Sequence, residues 1–550
     1  RPRDWSSDVC SSDLDGVPPM GKIHQQRIRR FHSICRSNRL KKINEMYGGL
    51  DGSGNSGSGS ADGSSGVCEI DTNMITPGTA FMHSLGLAIK KYLLERGAAS
   101  RNGTGAGARV KYIFSDSSIP GEGEHKLIHH ISEGARLRVD GTSEERELYG
   151  REHNTVIYAL DNDLIMLALT LGVENLFLFR ESTEYGAFAM IHEGRRYLYM
   201  DIAELEEALI QNFRETYGCA KIESDVEKRR YIDDYVFLGM LLGNDFMPKT
   251  HWFSIAEGGY ERLLSAYWQI HNHTEEYMIN RDAMTINTEM LCDMLYLVKE
   301  GEQAAVEGLF AKRRRAKVRV RDDCTERERQ VLLMDFYPLQ HLKVEQAIDP
   351  WRAGWRERYY RVCFNMDGNR AENLEMITQA YLKTLVWNFH YYFNYGIGSS
   401  GSACSGFSSG GCISWDWAYT FPYAPTWHDI YNELVKHKNI NIGGSDKLFK
   451  FGSSAPVDSQ TLLLMVLPWA SRRFMANDIV RRLERDDSGN GMRVYFPKKY
   501  GLNVAFHRFY HECTPIIYKM ELAKVARFVN GCKLTEEELK RNLVGNVFNV

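Results

Sequence analysis

The chain has 550 residues, of which 43% are hydrophobic and 25% charged. That composition excludes a largely disordered protein, and the length calls for two or more lobes. The 68 basic and 71 acidic side chains nearly cancel, so a global basic field for nucleic acid is excluded and any such binding must come from local clusters.

Taken in chain order, residues 1–14 (RPRDWSSDVCSSDL) look foreign to the rest of the chain. A strand is expected before the Asp15-Gly16 turn, but Ser6 to Asp13 is too polar to read as one, which points to a mis-joined N-terminus. No secretory signal and no apolar run of bilayer-spanning length is visible. From Lys22 a helix is expected. Gly/Ser-rich tracts near 48–66, 98–108 and 398–411 read as surface insertions. Val110 to Phe114 and Thr155 to Leu160 read as short buried strands, each followed by an acidic turn and an amphipathic helix. That alternation predicts an α/β fold with a mixed, mostly parallel central sheet flanked by helices. Beyond about residue 200 the patterns are mainly helical. The charge run Lys312 to Arg321 (KRRRAKVRVR) is a plausible boundary, dividing a core at 15–322 from a second region at 323–550. It also reads as an RNA-backbone contact, a solvated helix or an import-like stretch. The 11 cysteines lie singly, without CxxC or zinc-site spacing, and read as reduced thiols of a cytosolic or nuclear protein.

Three acidic turns carry the chemistry. In PGEGEHK the glycines allow a tight turn that sets Glu122 and Glu124 at the mouth of a strand-to-helix junction. Asp161 and Asp163 follow a strand end, and carboxylates two apart can point the same way. In DDYVFLGMLLGNDF, Asp234 and Asp245 are eleven residues apart and would share a face of one helix. Each turn alone is explained equally well by helix capping. Together they suit hard cations, Mg²⁺ or Mn²⁺, and two such ions can clamp a phosphodiester displacement. His125, His129 and His130 read as helix-surface or supporting groups. On the expected helix Lys22, Gln26, Arg29 and Arg30 form one cationic and amide stripe, suited to gripping a terminal phosphate.

The blocks DGVPPMGKIHQQR, ITPGTAFM, PGEGEHK, YALDNDLIML and IDDYVFLGMLLGNDFMP occur in order, followed by WRERYY and SWDWAYTFPYAP. In these the chain resembles the 5′→3′ exoribonucleases. The resemblance implies a nuclease core of the flap-nuclease kind and a mainly helical second conserved region. It implies that Asp15, Glu122, Glu124, Asp161, Asp163 and Asp245 bind two metal ions, and that Lys22, Gln26, Arg29 and Arg30 hold a 5′-monophosphate. One of Trp415 and Trp417 would stack on the 5′-terminal base. The substrate implied is single-stranded RNA, cut to nucleoside 5′-monophosphates. The resemblance departs at an upstream segment bearing an early metal-ligand Asp and a stacking His, which residues 1–14 do not match, and at Lys249, Ala418 and Thr420. A flap-endonuclease-like DNA enzyme and an inactive RNA-end-binding homologue are the alternatives. A cytoplasmic location is expected over a nuclear one, with decapping or RNA-processing factors as possible partners.

Overall fold

The computed structural model describes residues 9–48, 71–102, 110–150, 153–182, 197–218, 222, 224–367, 370–395, 412–437, 442–443, 449–486 and 491–549. The Gly/Ser tract at 398–411 and all but Gly48 of that at 48–66 lie outside them. The tract at 98–108 begins inside a helix, α2 (Ala80–Asn102).

Strand β1 (Val9–Asp13) pairs in parallel with β2 (Lys111–Ser115), Val9 opposite Lys111 and Asp13 opposite Ser115. The polar stretch that carries no strand pattern is therefore a strand from residue 9. None of its side chains is fully buried, so it joins the sheet through backbone N–H and C=O groups alone. In β2 the alternation is replaced by a buried end, with Ile113, Phe114 and Ser115 all inside. A C-terminal strand, Phe548–Asn549, adds antiparallel to β2.

A second sheet holds β3 (Thr155–Tyr158), β4 (Leu176–Glu181) and β5 (Tyr197–Asp201), with β3 and β4 parallel and β5 antiparallel. Only Ile157 of β3 is buried, so this strand is less enclosed than its apolar sequence suggests. The fold class is α/β with mixed sheets and flanking helices, followed by a mainly helical second region. Among the described residues, hydrogen bonding distributes these strands over two three-stranded sheets.

Five helices position the site. Helix α1 (Met20–Tyr47) has 28 residues, about 42 Å of axis. Its buried positions Met20, Ile23, Arg27 and Phe31 recur at helical spacing. Met20 and Ile23, with Val17, pack against Leu462, Leu463, Met465 and Val466 of the second region. Arg27 is accommodated in that stripe because its guanidinium donates to the carbonyl oxygens of Met465, at 2.9 Å, and Tyr495. Helices α3 (Gly123–Asp140), α4 (Asp163–Leu171) and α5 (Asp225–Met240) share one core with a long second-region helix, α6 (Ala371–Phe393). Ile128, Leu167, Phe237, Leu385 and Phe389 all belong to it. Among the described residues no helix is long and apolar enough to cross a membrane.

Candidate active site

The two turns that open the sequence motifs are clamped to one another. Gly16 N–H donates to Gly121 O at 2.8 Å and Gly121 N–H to Val17 O at 2.9 Å. Gly121 sits at φ +107°, a conformation other residues rarely adopt. A Cβ on Gly16 would lie 1.7 Å from the Ile119 carbonyl oxygen. This close approach brings Asp15 to the start of α3, where its Oδ1 accepts from Gly123 N–H at 2.7 Å. Asp15 thus satisfies a backbone donor of the first turn. Glu122, which occupies the cap position, makes no capping bond and is left to face the site.

Lys22 links two of the acids. Its Nζ lies 2.6 Å from Glu122 Oε2 and 2.9 Å from Asp245 Oδ2, while Arg29 Nη2 lies 3.2 Å from Asp245 Oδ1. Burial alone would raise the Asp245 pKa, but Lys22 and then Arg29 outweigh it and hold it below the usual range. Burial likewise raises Glu122, and there Lys22 only partly offsets it.

The proposed shared face of Asp234 and Asp245 does not form. α5 ends at Met240, and Asp245 lies in the turn beyond, where Asn244 Oδ1 accepts from the N–H groups of Phe246 and Met247 at 3.0 Å each. Asp234 is fully buried instead, accepting from Tyr267 Oη at 2.7 Å and from Met278 and Ile279 N–H at 2.8 and 3.0 Å. Burial pushes it up to about 7, so it is a structural carboxyl away from the site.

The other acids form one mutually repelling group with these. Burial, then Glu122, with smaller contributions from Asp161 and Asp163, pushes Glu124 up to about 8. Asp163 is raised by burial, then by Asp245 and Asp161. Asp161 is exposed at the rim, its Oδ1 3.5 Å from Asp163 N. Carboxylates from four separate segments therefore sense one another, with Lys22 as the buried counter-charge. Their donor set is nearly all oxygen, which fits a hard divalent cation. Glu122, Glu124 and His125 each offer an atom within 4.8 Å of the others. Of the two expectations for His125, helix surface or supporting group, the first fails: it is buried with its ring 3.8 Å from that of Tyr391, and burial takes its pKa down to about 3.

The wall behind the acids comes from α6, and no motif pointed to it. Tyr391 Oη donates to Glu122 Oε1 at 2.7 Å, across 269 residues of sequence. Burial, then Asp163 and Glu124, keeps the adjacent Tyr392 hydroxyl protonated. Trp387 stacks on Tyr391 with ring centroids 4.7 Å apart, and Phe246, next to Asp245, meets Trp387 at 4.9 Å. The signal lay in the aromatic run WNFHYYFNY, Trp387 to Tyr395.

The stripe on α1 divides. Gln26 has its Oε1 buried without a hydrogen-bond partner among the described residues. Arg30 turns toward the ITPGT segment and donates to Thr76 Oγ1 at 2.8 Å, burial bringing it down to about 10. The two tryptophans differ as well. Trp415 is 4% exposed, and its carbonyl oxygen accepts from Met20 N–H at 2.9 Å. Trp417 is half-buried; its Nε1 donates to Thr384 Oγ1 at 3.1 Å and Lys383 Nζ stands 4.5 Å from its ring centre. Trp415 is thus the core residue of the pair.

Known proteins share this order of segments. The family described as XRN 5′-3′ exonuclease N-terminus matches residues 8–182, and the Xrn1 helical domain matches 225–347 and 340–548. The 5′-3′ exoribonuclease 2 homolog of Drosophila melanogaster is 22% identical, over 97% of this chain and 62% of its own length. The 5′-3′ exoribonuclease 2 of Yarrowia lipolytica is 24% identical over 90% of this chain and 57% of its own. Human 5′-3′ exoribonuclease 1 is 23% identical over 96% of this chain and 30% of its own. The chain therefore spans less than two thirds of the length of these relatives. With both of its halves matched in order, it belongs to the XRN 5′-3′ exonuclease family.

Proposed function

We propose that this chain hydrolyses single-stranded RNA from a 5′-monophosphorylated end, releasing nucleoside 5′-monophosphates, with two divalent ions held by Asp15, Glu122, Glu124, Asp161, Asp163 and Asp245. The observation that carries the reading is that one helix, α1, presents Lys22 to the acids and Arg29 two turns further on. Both cations reach Asp245, one on each carboxylate oxygen, but Lys22 is mostly buried whereas Arg29 is 66% exposed and open to a phosphate. A 5′-phosphate gripped by Arg29 and the Gln26 amide would leave the first phosphodiester beside Glu122 and Asp245. Mg²⁺ or Mn²⁺, when bound, supplies an activated hydroxide and neutralises charge on the phosphoryl oxygens. The protein's own groups orient the rest. Lys22 holds Glu122 and Asp245 at a fixed separation, and Tyr391 fixes the second Glu122 oxygen. Arg30, tied to Thr76, closes the stripe on its outer side. The accessible face of Trp417 suits stacking on a terminal base, which needs no particular sequence.

The reading is tested by supplying 5′-monophosphorylated RNA, 5′-triphosphorylated RNA and a DNA flap to the protein with Mg²⁺. Mononucleotides should be released from the first at least ten times faster than from the others. Preference for the flap would move the assignment to a DNA nuclease, and binding without release would make the chain an RNA-end-binding homologue. Trp417→Ala should raise the Michaelis constant for RNA five- to thirtyfold, corresponding to about 1–2 kcal/mol of lost stacking. Trp415→Ala should instead lower the melting temperature, as expected for emptying a buried aromatic site.

A further inference from the structure

The charge run 312–321 resolves into two parts. Its first three residues belong to the fold. Lys312 Nζ lies 3.0 Å from Glu257 Oε2, and Arg313 is buried with its Nε 2.6 Å from Glu345 Oε1. Arg313 also donates to the carbonyl oxygens of Phe506 and His507, at 3.1 and 2.8 Å. Arg314 lies 4.1 Å over the Trp351 ring. The helix Glu302–Arg314 stops there, and residues 316–321 belong to no helix or strand. Over 315–321 exposure alternates without a break: Arg315, Lys317, Arg319 and Arg321 are exposed, whereas Ala316, Val318 and Val320 are half-buried. Arg315 itself closes the helix in right-handed helical conformation (φ −89°, ψ −12°); beyond it, two-residue alternation of this kind is the signature of extended backbone lying on a surface. Among the described residues Arg315, Lys317 and Arg319 have no ion pair; Arg321 lies 3.5 Å from Asp323.

We propose that Arg315, Lys317 and Arg319 form a track for the RNA backbone downstream of the cleavage site, an inference that rests on the function proposed above. Lys317 and Arg319, two residues apart on extended chain, are about 6.6 Å apart, a spacing that suits successive phosphates of an extended single strand, and Arg315 stands at the helix end just before them. The track is anchored and not a loose arm, because Arg313 roots it in the core. It is also near the acids in chain terms. Phe506, bonded to Arg313, stacks on His251 with centroids 5.3 Å apart, and His251 is six residues from Asp245. That path is at most roughly 70 Å at full extension, within the span of an extended 20-nucleotide strand, and the strip is placed beyond the first four nucleotides. An import receptor reading a contiguous basic stretch would need Lys312 to Arg314, and the middle one, Arg313, is buried in the fold.

The test replaces Arg315, Lys317 and Arg319 together by Glu and measures binding of 5′-monophosphorylated oligouridylates of 20 and 4 nucleotides in EDTA. For the 20-mer, affinity should fall at least tenfold at 0.1 M salt, and the slope of log K against log salt should lose about 2, three contacts at 0.7 each. Tetramer binding, and its Mg²⁺-dependent hydrolysis, should be unchanged. An unaltered 20-mer slope overturns the proposal, as does equal loss for both lengths. Loss of import-receptor binding with 20-mer binding intact would assign the strip to a protein partner and also overturn it. Because binding is read without metal, a wild type that fails to hydrolyse the tetramer defeats the catalytic reading alone.

Discussion

Glu124→Gln should lose at least a thousandfold in Mg²⁺-dependent release of mononucleotides, yet be more stable than the parent protein at pH 8 when metal is absent. Both effects have one cause. Glu124 is crowded by burial and by Glu122, Asp161 and Asp163, and its pKa stands at about 8 against an ordinary 4.5. The folded metal-free protein therefore holds a proton that the unfolded chain releases, so stability falls as pH rises from about 4.5 and the penalty is complete above about 8. Removing the carboxylate removes that penalty. Discounted for partial solvent contact, the gain at pH 8 is about 2 kcal/mol, vanishing below pH 4.5. Mg²⁺ should stabilise the parent at pH 8 and the variant much less. Asp163→Asn, raised for related reasons, should behave the same way with a smaller stability change. Thermal melts from pH 4 to 9, with and without Mg²⁺, alongside single-turnover assays, check both halves. Full activity in either variant removes the metal assignment, and identical pH profiles would show that the acids do not share one field.

The acids were legible because each sits at a turn marked by glycines or by a strand or helix end, and the cations of α1 because they recur at helical spacing. The relation between them was not. Asp234 illustrates the limit: helical spacing from Asp245 is sound arithmetic only while the helix lasts, and α5 ends five residues before Asp245. β1 illustrates another. Hydrophobic pattern reports which side chains are buried, whereas Val9–Asp13 joins its sheet by backbone hydrogen bonds with no side chain fully inside. Tyr391 was invisible for a third reason. Its partner Glu122 is 269 residues away, and an aromatic run reads as core until the one hydroxyl that meets a carboxylate is placed. Similarly KRRRAKVRVR is uniform in sequence but not in role, since three of its cations are spent on Glu257, Glu345 and Trp351.

Arg29→Ala should lower kcat/KM on 5′-monophosphorylated RNA ten- to a hundredfold, about 1.4–2.7 kcal/mol, with little change in melting temperature. Its side chain is 66% exposed, and among the described residues its one ion pair is with Asp245 Oδ1, a carboxylate that Lys22 continues to pair when Arg29 is removed. Lys22→Ala is a different experiment. Lys22 is the buried counter-charge for Glu122, whose side chain is 5% exposed, and for Asp245. Removing it leaves the buried Glu122 carboxylate uncompensated and Asp245 with Arg29 alone, a loss of about 3–5 kcal/mol, so a dead Lys22→Ala protein says nothing about the phosphate pocket. The pocket is diagnosed by comparing ends. The parent should prefer a 5′-monophosphate over a 5′-hydroxyl, and Arg29→Ala should erase most of that preference. Arg29→Lys should recover part of it, because the ammonium keeps the charge and loses the forked hydrogen bonds. If Arg29→Ala slows both substrates equally, Arg29 acts through Asp245 on the acids and not on the 5′-phosphate. The stripe on α1 would then be a counter-charge to the acidic cluster, and end recognition would have to come from elsewhere.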